Sequence, residues 1–155
     1  MSFSIAFGST RSSTKVRTVS WIRRCSGVSS KSMPESLWKR LASTPLEVER
    51  YELERLEQPV TRGFTRVSTV IHLHGGGQEG LGEDITWYAE HHDAEQAAGA
   101  VRPLAGTWTL ESFSDALAIE HPHHRWAYES AALDLALRQA GTSLAEALGR
   151  EPRPV

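Results

Sequence analysis

Apolar and polar residues alternate through the middle of the chain, which is the pattern of half-buried β-strands. The alternation is clean over residues 67–74 and imperfect over residues 46–56, where the Glu and Arg content would also permit a short helix. Between these segments, Gln58-Pro59 and Arg62-Gly63 indicate a loop. The pattern therefore predicts two strands joined by a connection at residues 57–66.

A third strand is expected near residues 80–88, after a glycine-rich reversal. Gly75, Gly76 and Gly77 supply the positive-φ backbone that a tight turn requires. The three segments together predict a three-stranded antiparallel meander.

The second half of the chain has the three- and four-residue spacing of helices. Asp93 is a candidate N-cap for a helix over residues 94–100. Residues 110–117 suit a helix that is buried on one side. Ser143 and Glu146 have the spacing of a capping box, which predicts a last short helix.

The longest predicted helix covers residues 125–140. Helical structure is expected to be interrupted just before this helix, at His121-Pro122-His123-His124, because proline disfavours helix at the preceding residue. The stripe expected to face the core carries Trp126, Leu133, Leu137 and Ala140. Strands followed by helices predict an α+β fold, with the three-stranded antiparallel meander followed by a small helical bundle.

Composition favours one domain in the cytoplasm. The chain has 155 residues, 39% of them apolar, which is enough for a single core. The only cysteine, Cys25, excludes an internal disulfide and a cysteine-rich zinc site. No run approaches the roughly 18 continuous apolar residues of a membrane span, and the N-terminus lacks a secretion signal. We therefore expect no membrane partner.

Charge divides the chain into two unlike parts. Residues 1–40 carry eight basic side chains and one acidic one, whereas residues 41–155 carry nine basic and eighteen acidic ones. Because the first part is also rich in Ser and Thr, we predict a basic, disordered extension over residues 1–45 and a folded domain over residues 46–155. A transit peptide and a nucleic-acid-binding arm are the alternatives for the extension. The negative charge of the folded part argues against a nucleic-acid partner.

Histidines and carboxylates suggest a metal site and an acid/base site, but solvated side chains are the simpler interpretation of both. The histidines that invite a metal site are His72, His74, His91, His92, His121, His123 and His124. They lack the spacing of a helical zinc motif, so we expect solvated histidines and no metal ligands. Glu79, Glu83 and Asp84 could pair for acid/base chemistry, but a solvated acidic turn is the expectation.

Two motifs follow each other in the chain. The first is the hairpin sequence from Gly77 through Gly80 and Gly82 to Glu83. The second is the helical sequence of residues 128–137, which includes Asp134. In this order they resemble the N-terminal capping domain of the enolase superfamily, in its mandelate racemase and muconate-lactonizing branch. Gly80 and Gly82 would let the hairpin bend sharply and pack close to neighbouring backbone. Asp134 is expected to face a polar partner or solvent rather than to act in catalysis.

The resemblance implies a function that depends on a second domain. In this family the catalytic residues lie on a (β/α)-barrel that follows the cap, so no catalytic residue is expected in this chain, and the chain alone should be inactive. The complete enzyme would be an isomerase or lyase that binds Mg²⁺ and abstracts a proton next to a carboxylate. Its partners would be a carboxylate substrate and either a barrel-bearing chain or a second copy of itself.

The family's cap domain helps to choose the substrate through two loops. Here these loops correspond to the strand connection at residues 57–66 and to residues 86–92, and Phe64, Trp87 and Tyr88 are the expected substrate contacts. Ordinary packing of these aromatic residues is the alternative.

Two other functions stay open at this point. One is a stand-alone binding protein that uses the same fold. The other is a fragment of an α/β-hydrolase, because His74-Gly75-Gly76-Gly77 is similar to the oxyanion loop of lipases. The chain has no G-x-S-x-G nucleophile motif, so a glycine-rich hairpin is favoured over the hydrolase.

Overall fold

The computed structural model describes residues 35–151, and the predicted disorder of residues 1–34 lies outside this range. The elements are, in chain order, α1 (Glu35–Leu41), β1 (Pro45–Val48), β2 (Arg50–Thr61), β3 (Phe64–Gly75), β4 (Gln78–Asp84), α2 (Ala89–Ala98), β5 (Gly106–Thr109), α3 (Leu110–Ala116), α4 (Pro122–Gln139) and α5 (Leu144–Ala147). The three-stranded sheet has the order β2-β3-β4 with antiparallel neighbours, so the predicted meander and the α+β class are confirmed.

The fold begins before the boundary predicted at residue 46. Leu41 of α1 is buried in the core, and Trp38 packs against it. Residues 35–45 are therefore part of the folded unit rather than of an extension.

The first predicted strand is two strands. β1 ends at Val48 and pairs with β5 in a separate two-stranded sheet, whereas β2 begins at Arg50 and pairs with β3. At the break, the N–H of Glu49 donates to the carbonyl of His74 at 2.7 Å. The alternation within residues 46–56 is imperfect because the two halves belong to different sheets.

The prediction of a loop at residues 57–66 is wrong, because most of this segment is paired β-strand. Pairing of β2 with β3 continues through Gln58 with Arg66 and Pro59 with Thr65, so that only Arg62 and Gly63 form the turn. A proline is tolerated here because β2 is an edge strand, and the register shifts just beyond it. The strands thus form a long hairpin arm.

The predicted helix boundaries also differ from the structure. α2 begins at Ala89, with Tyr88 rather than Asp93 at the N-cap position. α4 begins at Pro122, so the predicted interruption is instead the first turn of the helix. Proline is favoured at this position, where its missing N–H would have no intrahelical partner.

The buried stripe predicted for the long helix is right at Leu137, which is buried, and in part at Leu133, which packs against the core, but it is wrong at both ends. Trp126 is 46% exposed and Ala140 is exposed, whereas Tyr128, Ala131 and Leu135 are fully buried. Small side chains occupy this contact because α4 lies directly on the backbone of β4. A Cβ at Gly80 or Gly82 would overlap backbone atoms of α4. Both glycines therefore lie in close backbone contact, as expected, but Gly76 and Gly77 form the bend.

Two side chains of α4 pair with open backbone groups of neighbouring strands. The N–H of Leu81 donates to Asp134 at 3.0 Å, and Arg138 also donates to this carboxylate. Gln139 accepts from the N–H of Glu47 at 3.0 Å and donates to its carbonyl at 2.7 Å. These contacts satisfy strand groups that would otherwise be open.

A buried ion pair fills the space between α3 and α4. Arg125 donates to Glu129 at 3.0 Å and to the carbonyl of Leu117 at 2.8 Å, while the Ser114 hydroxyl donates to Glu129 at 2.5 Å. Burial raises the pKa of Glu129, against the opposing effects of Ser114 and Arg125. The pair ties the C-terminal end of α3 to the first turns of α4.

Candidate functional site: an exposed aromatic surface above a buried charged network

The two predicted substrate-contact segments meet at one surface. Phe64, the first residue of β3, stacks on Trp87, which follows β4, with ring centroids 5.3 Å apart and planes 19° apart. Trp87 is 70% exposed and the neighbouring Tyr88 is 64% exposed. A contiguous exposed patch of large apolar side chains is typical of interaction and ligand-binding sites.

Exposed histidines extend this surface toward the N-terminus of α4. The Tyr88 ring lies 6.1 Å from that of His91, which lies 5.7 Å from that of His121, and His123 follows at 5.6 Å. Burial lowers the pKa of His121, which favours its neutral ring. We call this group of rings the aromatic surface; it comprises Phe64, Trp87, Tyr88, His91, His121 and His123.

Buried polar groups hold the chain immediately before Trp87. Asp84 Oδ1 accepts from the N–H of Thr86 at 2.9 Å and from its hydroxyl at 2.6 Å. His92, only 1% exposed, lies with Nε2 2.8 Å from the Thr86 carbonyl oxygen and Nδ1 3.1 Å from the Thr69 hydroxyl. Asp84 and His92 are therefore not solvated, contrary to the sequence-based expectation.

A network of charged groups lies behind these contacts. We call it the buried charged network; its members are the buried Asp84 and Tyr128 and the partly buried Glu95, Arg102 and His124. His124 Nδ1 lies 2.7 Å from Asp84 Oδ2, and its Nε2 lies 3.3 Å from Glu95 Oε2. Arg102 and the Tyr128 hydroxyl also donate to Glu95, at 3.2 and 2.7 Å. His124 thus joins β4 to α2 through the two carboxylates.

The network favours a charged His124. Burial alone would lower the pKa of His124, but its bonds to Asp84 and Glu95 raise it to about 9. Burial would raise the carboxyl pKa values, but bonds from His124, Thr86 and Tyr128 hold Asp84 and Glu95 at about 2. The 3.3 Å contact between Arg102 Nη2 and His124 Nε2 is then not a hydrogen bond, because both atoms carry protons.

The network has the character of a structural bridge. Two carboxylates balance two cations, and their pKa values lie far from neutrality on either side. Groups that exchange protons during turnover need pKa values near the working pH. Tyr128 is even less suited to that role, because burial and then Glu95 raise its pKa further above its usual range.

The acidic face of the sheet contains the remaining histidine candidates. His72 lies 2.8 Å from Glu79 and 3.1 Å from Glu54, whereas His74 lies 3.8 Å or more from its nearest carboxylates. The bond to His72 lowers the pKa of Glu79. Among residues 35–151, no group of three or more His, Cys, Asp or Glu side chains is arranged to hold a metal ion.

The motif residues lie in the β3–β4 hairpin and on α4. Gly77 lies in the turn and Asp134 lies at the outer edge of β4, where it contacts Leu81. Glu83 is exposed and lines an open groove of about 450 Å³ together with Leu56, Gln58, Arg66 and Ile85. None of these residues contributes to the aromatic surface.

The glycine run that resembles an oxyanion loop forms the β3–β4 turn, as the hairpin interpretation predicts. Gly76 and Gly77 have φ angles of 56° and 71°. The N–H of Gly76 donates to the carboxylate of Glu49 at 3.2 Å. This N–H already has an anionic partner, and both described sheets are antiparallel, unlike the parallel sheet of a hydrolase.

The sequence alone does not reveal the buried charged network, because its members come from distant parts of the chain. Asp84 and His124 are 40 residues apart, and Glu95 and Tyr128 are 33 apart. The only local indication of the network is the four-residue spacing of His124 and Tyr128, which places the two side chains one helical turn apart.

Comparison with known proteins gives one family. Residues 39–147 match the family described as "Domain of unknown function (DUF8230) N-terminal domain". Neither the curated proteins nor the solved structures include a match to the chain. In the part of the chain that the structure describes, no helix combines the length and apolar character needed to cross a membrane.

Proposed function

The chain belongs to the DUF8230 N-terminal domain family, and from that premise we propose that it is a substrate-capping domain. The enzyme it serves would be a Mg²⁺-dependent member of the enolase superfamily that removes a proton next to a carboxylate. The observation that carries the proposal is the stacking of Phe64 on exposed Trp87. It joins the end of the hairpin arm to the segment after β4, the two places from which such a cap would reach a substrate.

Two further features support the proposal. The α+β arrangement, with a three-stranded meander and helices on one side, is the architecture that the resemblance implies. The family's description as an N-terminal domain suits a cap that precedes a barrel. The aromatic surface would cover the barrel mouth and contact the part of the substrate distant from its carboxylate.

The chemistry would belong to the barrel, in the same polypeptide or in a partner chain. Mg²⁺ would stabilise the negative charge that develops on the carboxylate during proton removal. The described residues of this chain offer no ligand set for Mg²⁺, so its ligands would also lie in the barrel. The role left to this chain is to enclose the substrate and exclude water.

The test is Mg²⁺-dependent exchange of the proton next to a carboxylate. The native protein that contains this domain would be purified from its source and incubated in D₂O with a panel of carboxylic acids. Proton NMR would follow the exchange with Mg²⁺ and with EDTA. We expect exchange only with Mg²⁺, and none from the purified 155-residue chain. Exchange by this chain alone, or none by the native protein with any acid, would contradict the proposal.

A pair of variants would test the role of the aromatic surface. Trp87→Ala should raise KM about tenfold or more, because it removes most of an exposed aromatic contact. Leu144→Ala is the control, since Leu144 is also an exposed apolar residue but lies on α5. Equal KM values for the two variants would show that Trp87 does not contact the substrate.

The second candidate function is a stand-alone binding protein. The exposure of Trp87 and Tyr88 favours it as well, because exposed aromatic residues at a rigid surface are typical of protein interaction sites. The same purification separates the two functions. A native protein that consists of this chain bound to a non-enzymatic partner, with no proton exchange, would favour the binding protein.

A further inference from the structure

Thr86 is held at three polar atoms, immediately before the exposed Trp87. Its N–H and hydroxyl donate to Asp84, and its carbonyl oxygen lies 2.8 Å from Nε2 of His92. Thr86 itself is buried. The backbone at Thr86 is therefore held by more hydrogen bonds than is usual in an exposed loop.

The partners of Thr86 are themselves fixed. Nε2 of His92 donates to the Thr86 carbonyl oxygen, because a carbonyl can only accept, and Nδ1 lies 3.1 Å from the Thr69 hydroxyl. Asp84 is bound on its other oxygen by His124 at 2.7 Å. Contacts from β3, β4, α2 and α4 thus converge beneath Thr86.

The exposed ring is supported from the other side by Phe64. With Thr86 fixed behind it and Phe64 stacked on its face, Trp87 has little freedom to collapse onto the protein. An exposed indole that is held in place loses less conformational entropy when a ligand binds.

We propose that Thr86, Asp84 and His92 are positioning residues that hold Trp87 and Tyr88 in the orientation that receives the substrate. This inference rests on the proposed capping function and assigns its specificity to residues that never touch the substrate. Preorganised contacts of this kind need such supporting hydrogen bonds.

The first experiment measures the orientation of Trp87 in the full chain without any substrate. The chain would be labelled with 5-fluorotryptophan, giving one fluorine NMR resonance for each of its five tryptophans. Trp87→Phe would assign the resonance of interest. Thr86→Val replaces the hydroxyl, which donates to Asp84 and lies 3.5 Å from His121 Nδ1, with a methyl group, while Thr86→Ser retains it.

We expect Thr86→Val to shift or broaden the Trp87 resonance and Thr86→Ser to restore it. Ser114→Ala is the matched control, because it also removes a buried hydroxyl that donates to a carboxylate. It should lower the stability without changing the Trp87 resonance. An unchanged Trp87 resonance in Thr86→Val, or an equal change in Ser114→Ala, would overturn the inference.

The second experiment uses turnover by the native enzyme. Thr86→Val should raise KM with little effect on kcat, and Thr86→Ser should restore KM. If the aligned orientation falls to about a tenth of the population, KM rises about tenfold. A fall in kcat alone would overturn the inference. If the native enzyme shows no turnover, the proposed function fails, while the fluorine experiment still decides whether Thr86 positions Trp87.

Discussion

At the scale of single residues, two glycines of β4 determine how closely α4 approaches the sheet, because they carry no side chain. A Cβ at Gly82 would overlap the carbonyl oxygen of Ala127, and one at Gly80 would overlap the backbone of Ala131 and Leu135. Neither glycine has a positive φ angle. Their role is therefore to leave space, and the bend of the hairpin is formed elsewhere.

We predict that Gly82→Ala destabilises the protein far more than Gly77→Ala does. The first substitution forces α4 away from β4, at a cost of about 3 kcal/mol or more. The second meets no atom within 4 Å but places alanine at a φ of +71°, at a cost of about 1 kcal/mol. Urea denaturation gives both free energies of unfolding. Similar losses in the two variants would show that α4 does not pack on β4 in this way.

At the scale of elements, the buried charged network connects β4, α2 and α4 through one imidazolium ion. Asp84 lies at the end of β4, Glu95 lies on α2 and His124 lies in the first turns of α4. Arg102 supplies the second cation, and its guanidinium lies 5.5 Å from the centre of the Tyr128 ring. These contacts fix the elements that carry the aromatic surface.

The stability of the protein should therefore decrease on both sides of mildly acidic pH. The pKa of His124 rises from 6.5 to about 9 on folding, so its contribution is complete below pH 6.5 and is lost as the pH rises through 9. The pKa values of Asp84 and Glu95 fall from 3.8 and 4.5 to about 2, so their contribution is complete above pH 4.5 and is lost as the pH falls toward 2.

The alkaline limb of this profile is the cleaner test. Urea denaturation of the wild type should show a loss of about 3 kcal/mol between pH 6 and pH 9.5, from the conversion of the His124 shift. His124→Gln should be less stable at pH 6 and nearly independent of pH over this interval. His91→Gln, at an exposed histidine, should retain the wild-type profile. An unchanged profile in His124→Gln would contradict the assignment.

At the scale of the whole molecule, the described domain separates an exposed aromatic surface from a charged network beneath it. The exposed rings of Trp87 and Tyr88 lie outside, and the charges that support them are paired beneath. The acidic sheet face carries Glu52, Glu54, Glu79 and Glu83, all exposed. The proposed enzyme would place its reactive groups on the barrel and leave recognition to this domain.

Removal of Mg²⁺ should leave the isolated chain unaffected, because the proposal assigns the metal ligands to the barrel. The thermal midpoint of the 155-residue chain should be the same in EDTA and in millimolar Mg²⁺. A ligand that binds the folded state raises this midpoint. An increase of several degrees with Mg²⁺, absent with Na⁺ at equal ionic strength, would place a metal site in this chain.

The sequence determined the features that depend on neighbouring residues. Alternation over residues 67–74 predicts β3, and the glycines after it predict the turn, because strand period and positive φ are local properties. Ser143 and Glu146 form the predicted capping box by the same local chemistry. The α+β class followed from the order of these signals. Phe64, Trp87 and Tyr88 were selected by resemblance, and the structure groups them at one surface.

Only the tertiary structure decided which residues meet across the fold. The division of residues 46–56 between two sheets depends on β5, about 60 residues later in the chain. The buried face of α4 is the one that lies on the glycines of β4, so Tyr128 is buried while Trp126 remains exposed. Asp84, Glu95 and His124 look like solvated residues in the sequence. They become a partly buried network because the pairing of opposite charges offsets their desolvation. That pairing requires elements that the chain brings together only on folding.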